Sequence, residues 1–262
     1  MMPPSFGFSV FLFSAGALVG FLSGLLGIGG GIVMFPILLF LPPLFGFEGI
    51  DVKSITGLTM VQGFFASLAA MLFYRRQRLV NRGLVLTLGL SLFLSSLAGA
   101  VISERVPDKA LLFIFGVMAL VAAVMMLIPR SYVRDDAREH EVEFHKPAAV
   151  TIGIVVGFFT GMVGQGGAFL IIPVLLYLLH IPLRVALGST LAIGLFSSTA
   201  GLAGKAATGQ VPFTIAGVLL LGAIPAARMG GYVSQRTSTK LLRWLLSLLI
   251  AATAVKIWSG IF

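Results

Sequence analysis

The sequence predicts an all-α polytopic membrane protein: two inverted-topology repeats of five apolar segments each, with glycine-broken or re-entrant helices at the start of each repeat. Three observations carry this reading. The 262 residues are 58% hydrophobic and only 10% charged, whereas a soluble domain carries roughly 25% charged residues. Several apolar runs reach or approach the roughly 20 residues that cross a bilayer as a helix, and they lack the short alternation of a membrane β-barrel. The phrase GFLSGLLGIGGGIVMFPILLFL, Gly20 to Leu41, returns without a gap as GFFTGMVGQGGAFLIIPVLLYL, Gly157 to Leu178, 137 residues on.

The elements follow in order. Met1 to Val10 hold no Lys or Arg, so the first run lacks the positive start of a secretory leader. It reads as a retained span with its N-terminus translocated. The first transmembrane repeat, 1–129, places apolar segments near 8–28, 31–45, 55–74, 84–103 and 109–129. The mixed-charge stretch 130–147 reads as a cytoplasmic linker, and His140 and His145 within it read as solvated residues rather than a metal site. The second transmembrane repeat, 148–262, has segments near 148–165, 167–181, 186–205, 213–233 and 240–261. Segments 31–45 and 167–181 are short and carry Pro36 and Pro173, so each either crosses or turns back. SITGLTMVQGFFASLA, Ser54 to Ala69, lies over ALGSTLAIGLFSSTAG, Ala186 to Gly201, which sets Thr56-Gly57 over Gly188-Ser189.

Five segments per repeat force the second repeat upside down, and the basic residues agree. With Arg75, Arg76, Arg78 and Arg82 inside, the linker, Arg184, Arg236, Lys240 and Arg243 also fall inside, for 12 basic residues in total. That is the positive-inside bias. The net charge of +9 is therefore read as topology, and no nucleic-acid partner is expected. The chain has no Cys, which excludes disulfides and thiolate chemistry.

The glycines of the repeated phrase point to function. Each disfavours helix by about 1 kcal/mol relative to Ala. Placed twice at matched positions, they read as deliberate breaks near Gly29, Gly30 and Gly31 and near Gly166 and Gly167. A helix that restarts inside the bilayer presents free N–H groups and a positive dipole end to an anion. Inverted repeats with interrupted helices are the design of secondary transporters. Gln165 sits in the second break. Thr56, Thr59 and Gln62 in the third segment, and Ser189 and Thr190 in the eighth, add donors. Arg228 is a cation within a membrane segment and is either functional or snorkelling. Lys205 and Lys256 read as anchors near the outer boundary. Glu48, Asp51, Glu104 and Asp108 all fall in loops, which favours an anionic or neutral solute over a cation.

The paired phrase and ALGSTLAIGLFSSTAG resemble the TauE/SafE sulfite exporter family over nearly the whole chain. The resemblance implies a bacterial or archaeal inner-membrane protein that moves small sulfur-containing anions, with sulfite, sulfoacetate and related organosulfonates as the substrate class. The expected activity is secondary transport, most simply export, by alternating access; a passive anion channel is the alternative. The expected partners are a small anionic substrate, the lipid bilayer and a coupling ion, H+ or Na+; the oligomeric state is left open. No cofactor is expected. With no Cys, no carboxylate pair in an apolar segment and only His180 near one, the chain is not expected to be an enzyme.

Overall fold

A bilayer offers no water to backbone N–H and C=O groups, so a chain this apolar satisfies them within helices. The structure is a computed structural model that describes residues 5–75, 80–128, 144–165 and 168–261. Among the described residues the regular structure is helical throughout. The first five helices are α1 Phe6–Leu26, α2 Gly31–Leu44, α3 Val52–Arg75, α4 Arg82–Ile102 and α5 Asp108–Leu127, with a short 3-10 turn at Ser103–Arg105. They are followed by α6 Lys146–Val163, α7 Ala168–Tyr177, α8 Leu183–Ala207, α9 Phe213–Arg236 and α10 Thr239–Ile261. Each predicted segment is one helix. Eight are long and apolar enough to span a membrane, which makes this a multi-pass membrane protein. The exceptions are the two segments that carried the crossing ambiguity. With 14 and 10 residues, α2 and α7 rise only about 21 and 15 Å at 1.5 Å per residue, short of the roughly 30 Å hydrocarbon core.

Helix starts are set by side chains that the sequence places before them. Asp51 Oδ2 accepts the Ser54 N–H at 2.8 Å and Asn81 Oδ1 accepts that of Leu84 at 2.9 Å. His145 Nδ1 accepts the Ala148 N–H at 3.3 Å, so this histidine caps α6, while His140 lies outside the described residues. Most of the 130–147 linker is outside them too; Lys146 and Pro147 open α6.

The helices pair in a pattern that repeats. α1 lies along α9 and its sequence counterpart α6 lies along α4; α3 crosses α8 at the centre, and α5 meets α10. Small residues make these approaches possible. On α1, a Cβ at Gly16, Gly20 or Gly24 would strike the backbone carbonyls of Leu219, Ala223 or Ala227 of α9. On α6, a Cβ at Gly153, Gly157 or Gly161 would strike Ser91, Ser95 and the Ser96 carbonyl of α4. In the other direction Gly230 abuts the Phe21 carbonyl, as Gly99 abuts that of Phe158.

These matched contacts correct the register read from sequence. Gly27 packs on Leu187 and its counterpart Gly164 packs on Thr56. Helices α3, α4 and α5 begin 131 residues before α8, α9 and α10. Gly57 therefore stands over Gly188 and Thr59 over Thr190, and the Thr56-Gly57 against Gly188-Ser189 pairing is one residue out of step. The slip lay in the alignment itself: at the 131-residue offset Gly57, Thr59, Gly63, Phe65, Ser67 and Ala69 each stand over an identical residue, whereas the register read from sequence matched only Phe64 with Phe196.

The bundle is inverted in polarity relative to a soluble protein. Leu94, Leu221 and Val255 are each 70% exposed, toward the lipid, while Thr56, Thr59, Gln62, Ser189 and Thr190 are fully buried. The enclosed central helices α3 and α8 carry the polar groups, and a polar side chain in lipid must find company inside.

Candidate functional site

The first break is built by glycine at positive φ. α1 ends at Gly27, φ 67°, whose N–H returns to the Ser23 carbonyl at 2.9 Å. Gly29 and Gly30 follow with φ of 65° and 80°, a left-handed conformation in which other residues are strained. α2 then starts at Gly31, with no side chain capping its first turn. The second break starts the same way. α6 ends at Gly164, φ 78°, and the N–H groups of Gly164 and Gln165 both donate to the Thr160 carbonyl at 3.0 Å. α7 resumes at Ala168. Gly166 and Gly167 lie outside the described residues.

The two breaks meet. A Cβ at Gly31 would lie 2.9 Å from Gln165 Oε1 and 3.0 Å from the Gln165 carbonyl oxygen. A Cβ at Gly30 would lie 2.5 Å from Gln62 Nε2 and 2.8 Å from Oε1, and one at Gly63 would lie 3.4 Å from the Gly29 carbonyl. The N-terminal turn of α2 is thus held between two carboxamides, one from the middle of α3 and one from the second break. Gln62 and Gln165 are both fully buried. Neither their nitrogens nor their oxygens have a hydrogen-bond partner among the described residues, and the same holds for the hydroxyls of Ser23 and Thr190. Thr190 lies one helical turn from Leu187, on which Gly27 packs.

Buried polar groups in folded proteins are nearly always hydrogen-bonded. Leaving one unsatisfied costs about 1–3 kcal/mol. Two of these side chains, the Gln62 and Gln165 carboxamides, meet beside a helix N-terminus with hydrogen-bonding capacity that the described residues leave unused. Two features set the electrostatics of the junction. Glu48, Asp51, Glu104 and Asp108 are exposed, and no acidic side chain is buried among the described residues. The helix start contributes positive potential.

The other candidates fall into two groups. Thr59 and Thr56 pack around the second break and have partners of their own. The Thr59 hydroxyl donates to the Gly164 carbonyl at 2.6 Å, and Thr56 donates to the Lys53 carbonyl at 2.7 Å. Ser189 and Arg228 are elsewhere. The Ser189 hydroxyl accepts the Asn81 N–H at 3.0 Å and ties α8 to the start of α4. Arg228 is exposed on the outer side of α9, next to Met229 at 63% and near Tyr232 at 48% exposure. An exposed position of this kind is where a snorkelling side chain lies. Arg228→Ala is expected to leave anion affinity within about twofold, as a surface change does; an anion titration of the variant checks this.

One residue was misread altogether. Lys205, expected to anchor at the boundary, is fully buried. Its Nζ donates to Ser103 Oγ at 2.6 Å, Thr56 Oγ1 at 2.8 Å, Gln210 Oε1 at 2.9 Å and the Met162 carbonyl at 3.0 Å. A signal for this was present. Lys205 continues the face of Gly201 and Gly204, whose Cβ atoms would meet Met60 and Ala100, so helical spacing turned it inward. Lys256, by contrast, is exposed, with its Nζ 4.8 Å above the Phe40 ring.

Fold and site together define a multi-pass membrane protein with broken helices meeting at a buried junction that holds two carboxamides and, among the described residues, no buried acidic side chain. The chain belongs to the sulfite exporter TauE/SafE family, whose sequence profile matches residues 12–257. It is similar to "Probable membrane transporter protein YunE" of Bacillus subtilis, 26% identical over 97% of this chain and 98% of that one. It is also similar to a "Probable membrane transporter protein" of Xylella fastidiosa, 31% identical over 92% of this chain and 91% of the relative. An archaeal relative from Methanocaldococcus jannaschii with the same description is 27% identical over 90% of both chains. No solved structure matches the chain.

Proposed function

We propose that this chain is a secondary transporter that exports a small sulfur-containing anion, such as sulfite, sulfoacetate or another organosulfonate, across a bacterial or archaeal inner membrane. The observation that carries the reading is the pair of fully buried carboxamides, Gln62 and Gln165, which make no hydrogen bond among the described residues and press against the first turn of α2. An oxyanion would supply acceptors to their NH2 groups and to the N–H groups of Gly31 and Ile32 at the start of α2. The site carries no fixed negative charge to repel it.

Alternating access by two inverted repeats is supported by the matched contacts, Gly27 on Leu187 and Gly164 on Thr56, and Gly230 on Phe21 and Gly99 on Phe158. In this reading the linker and the Arg184, Arg236 and Arg243 end face the cytoplasm, with the N-terminus outside. Moving one repeat against the other would expose the junction to each side in turn. Gln62 and Gln165 come from different repeats, so the motion would open the site itself.

The test is uptake into liposomes of sulfite, sulfoacetate, taurine and sulfate, paired with anion-dependent thermal shifts of the purified protein. Saturable uptake of at least one of them, without unitary currents in planar bilayers, is the expected outcome. Silence toward every sulfur anion would remove the substrate class. Unitary currents would replace the carrier with a channel.

A further inference from the structure

The surroundings of Lys205 go beyond anion transport. Four oxygens converge on its Nζ at 2.6 to 3.0 Å: Ser103 Oγ, Thr56 Oγ1, Gln210 Oε1 and the Met162 carbonyl. An ammonium has only three protons to give them. The oxygens are already oriented as acceptors, because their neighbours hold them. Thr56 gives its own proton to the Lys53 carbonyl at 2.7 Å, and Ser103 gives its proton to the Ala100 carbonyl at 2.6 Å. The Gln210 amide nitrogen donates to Thr208 Oγ1 at 2.7 Å, which fixes Oε1 toward the lysine. Met162 contributes from the last turn of α6, where the helix dipole is negative.

None of these ligands carries a formal charge. A buried ion without a countercharge survives only where dipoles replace its hydration shell. The cage joins α3 and the end of α4 to the end of α6 and the α8–α9 connection, and so clasps the broken end of α6 against the other repeat. It has no copy in the first repeat. At the matched positions stand Tyr74 for Lys205 and Leu187 for Thr56.

We infer that Thr56, Ser103, Met162 and Gln210 form a monovalent-cation site, which the chain fills with its own tethered ammonium in place of a dissolved ion. Divalent cations are disfavoured there, since they call for carboxylate ligands. Free sodium or potassium would enter once the tether is removed. This does not depend on which anion the neighbouring junction carries, so the two ideas fail separately.

The experiment is thermal unfolding of full-length Lys205→Ala in choline, sodium, potassium and magnesium chloride at matched ionic strength. The unaltered protein is expected to melt at one temperature in all four. The variant is expected to melt lower in choline and magnesium. It should recover in sodium or potassium, saturably and with the logarithmic dependence of a single bound ligand. Lys205→Met, whose stem plugs the cage without charge, is expected to melt lower and stay unrescued by every salt. A Lys205→Ala protein that is as stable as the parent in choline, or that responds equally to all four salts, overturns the inference. Should it not accumulate, Lys205→Ser, which adds a neutral oxygen, goes through the same salts, and failure of both variants in sodium and potassium also overturns it.

Discussion

Gln62→Met and Gln165→Met are expected to melt higher than the parent protein and to lose the anion. Both effects come from the same two carboxamides, which are fully buried and make no hydrogen bond among the described residues. Methionine nearly matches glutamine in shape and leaves no polar atom to satisfy. Removing an unsatisfied buried group returns about 1–3 kcal/mol of stability per site. The same change removes a donor to a charged ligand, worth about 1.5–3 kcal/mol, or roughly 10- to 150-fold in affinity. Stability rising as binding falls is the mark of a group kept for function rather than for the fold. Thermal unfolding in detergent and an anion titration read the two arms. Variants that melt lower and bind as before would show that these amides are structural.

Gly20→Ala and Gly157→Ala are expected to damage the protein about equally, although they lie in different repeats. Each glycine sits where two helices touch backbone to backbone. A Cβ at Gly20 would lie 2.7 Å from Ala223 Cα, and one at Gly157 would lie 2.8 Å from Leu92 Cα. Overpacking a core costs about 1–3 kcal/mol and occasionally more. The upper end is expected here, because backbone cannot rotate away as a side chain can. Gly217→Ala in α9 is the control, since nothing lies within 4 Å of its Cβ position. It should stabilise the helix by about 0.5–1 kcal/mol. Melting temperatures of the three variants decide the matter. A tolerant Gly20 or Gly157 would mean that the α1–α9 or α4–α6 contact is looser than described.

Much of this architecture was legible from local chemistry. The apolar segments became helices because a chain without water has no other way to satisfy its backbone. The break at Gly29 and Gly30 was legible because clustered glycine opposes helix wherever it occurs, and the repetition marked it as purposeful; Gly166 and Gly167, where the second was expected, lie outside the described residues. Gln165 was singled out because it stands alone in the second break, where the first has Ile28. Lys205 and Arg228 were harder. Each is a cation in an apolar helix, yet one points to the centre and the other to lipid.

What the chain alone determined, then, was the set of helices, the places where they stop, and the likeness of its two halves. These follow from composition and backbone preference within a few residues. What only the tertiary structure decided was which face of each helix looks inward. It set Gln62 beside Gly30 and gave Lys205 its four oxygens. The reason is physical. In water an amphipathic stripe marks the buried face, but a helix between lipid and an apolar core is hydrophobic all round, and its orientation is settled by close packing and a few hydrogen bonds with distant helices.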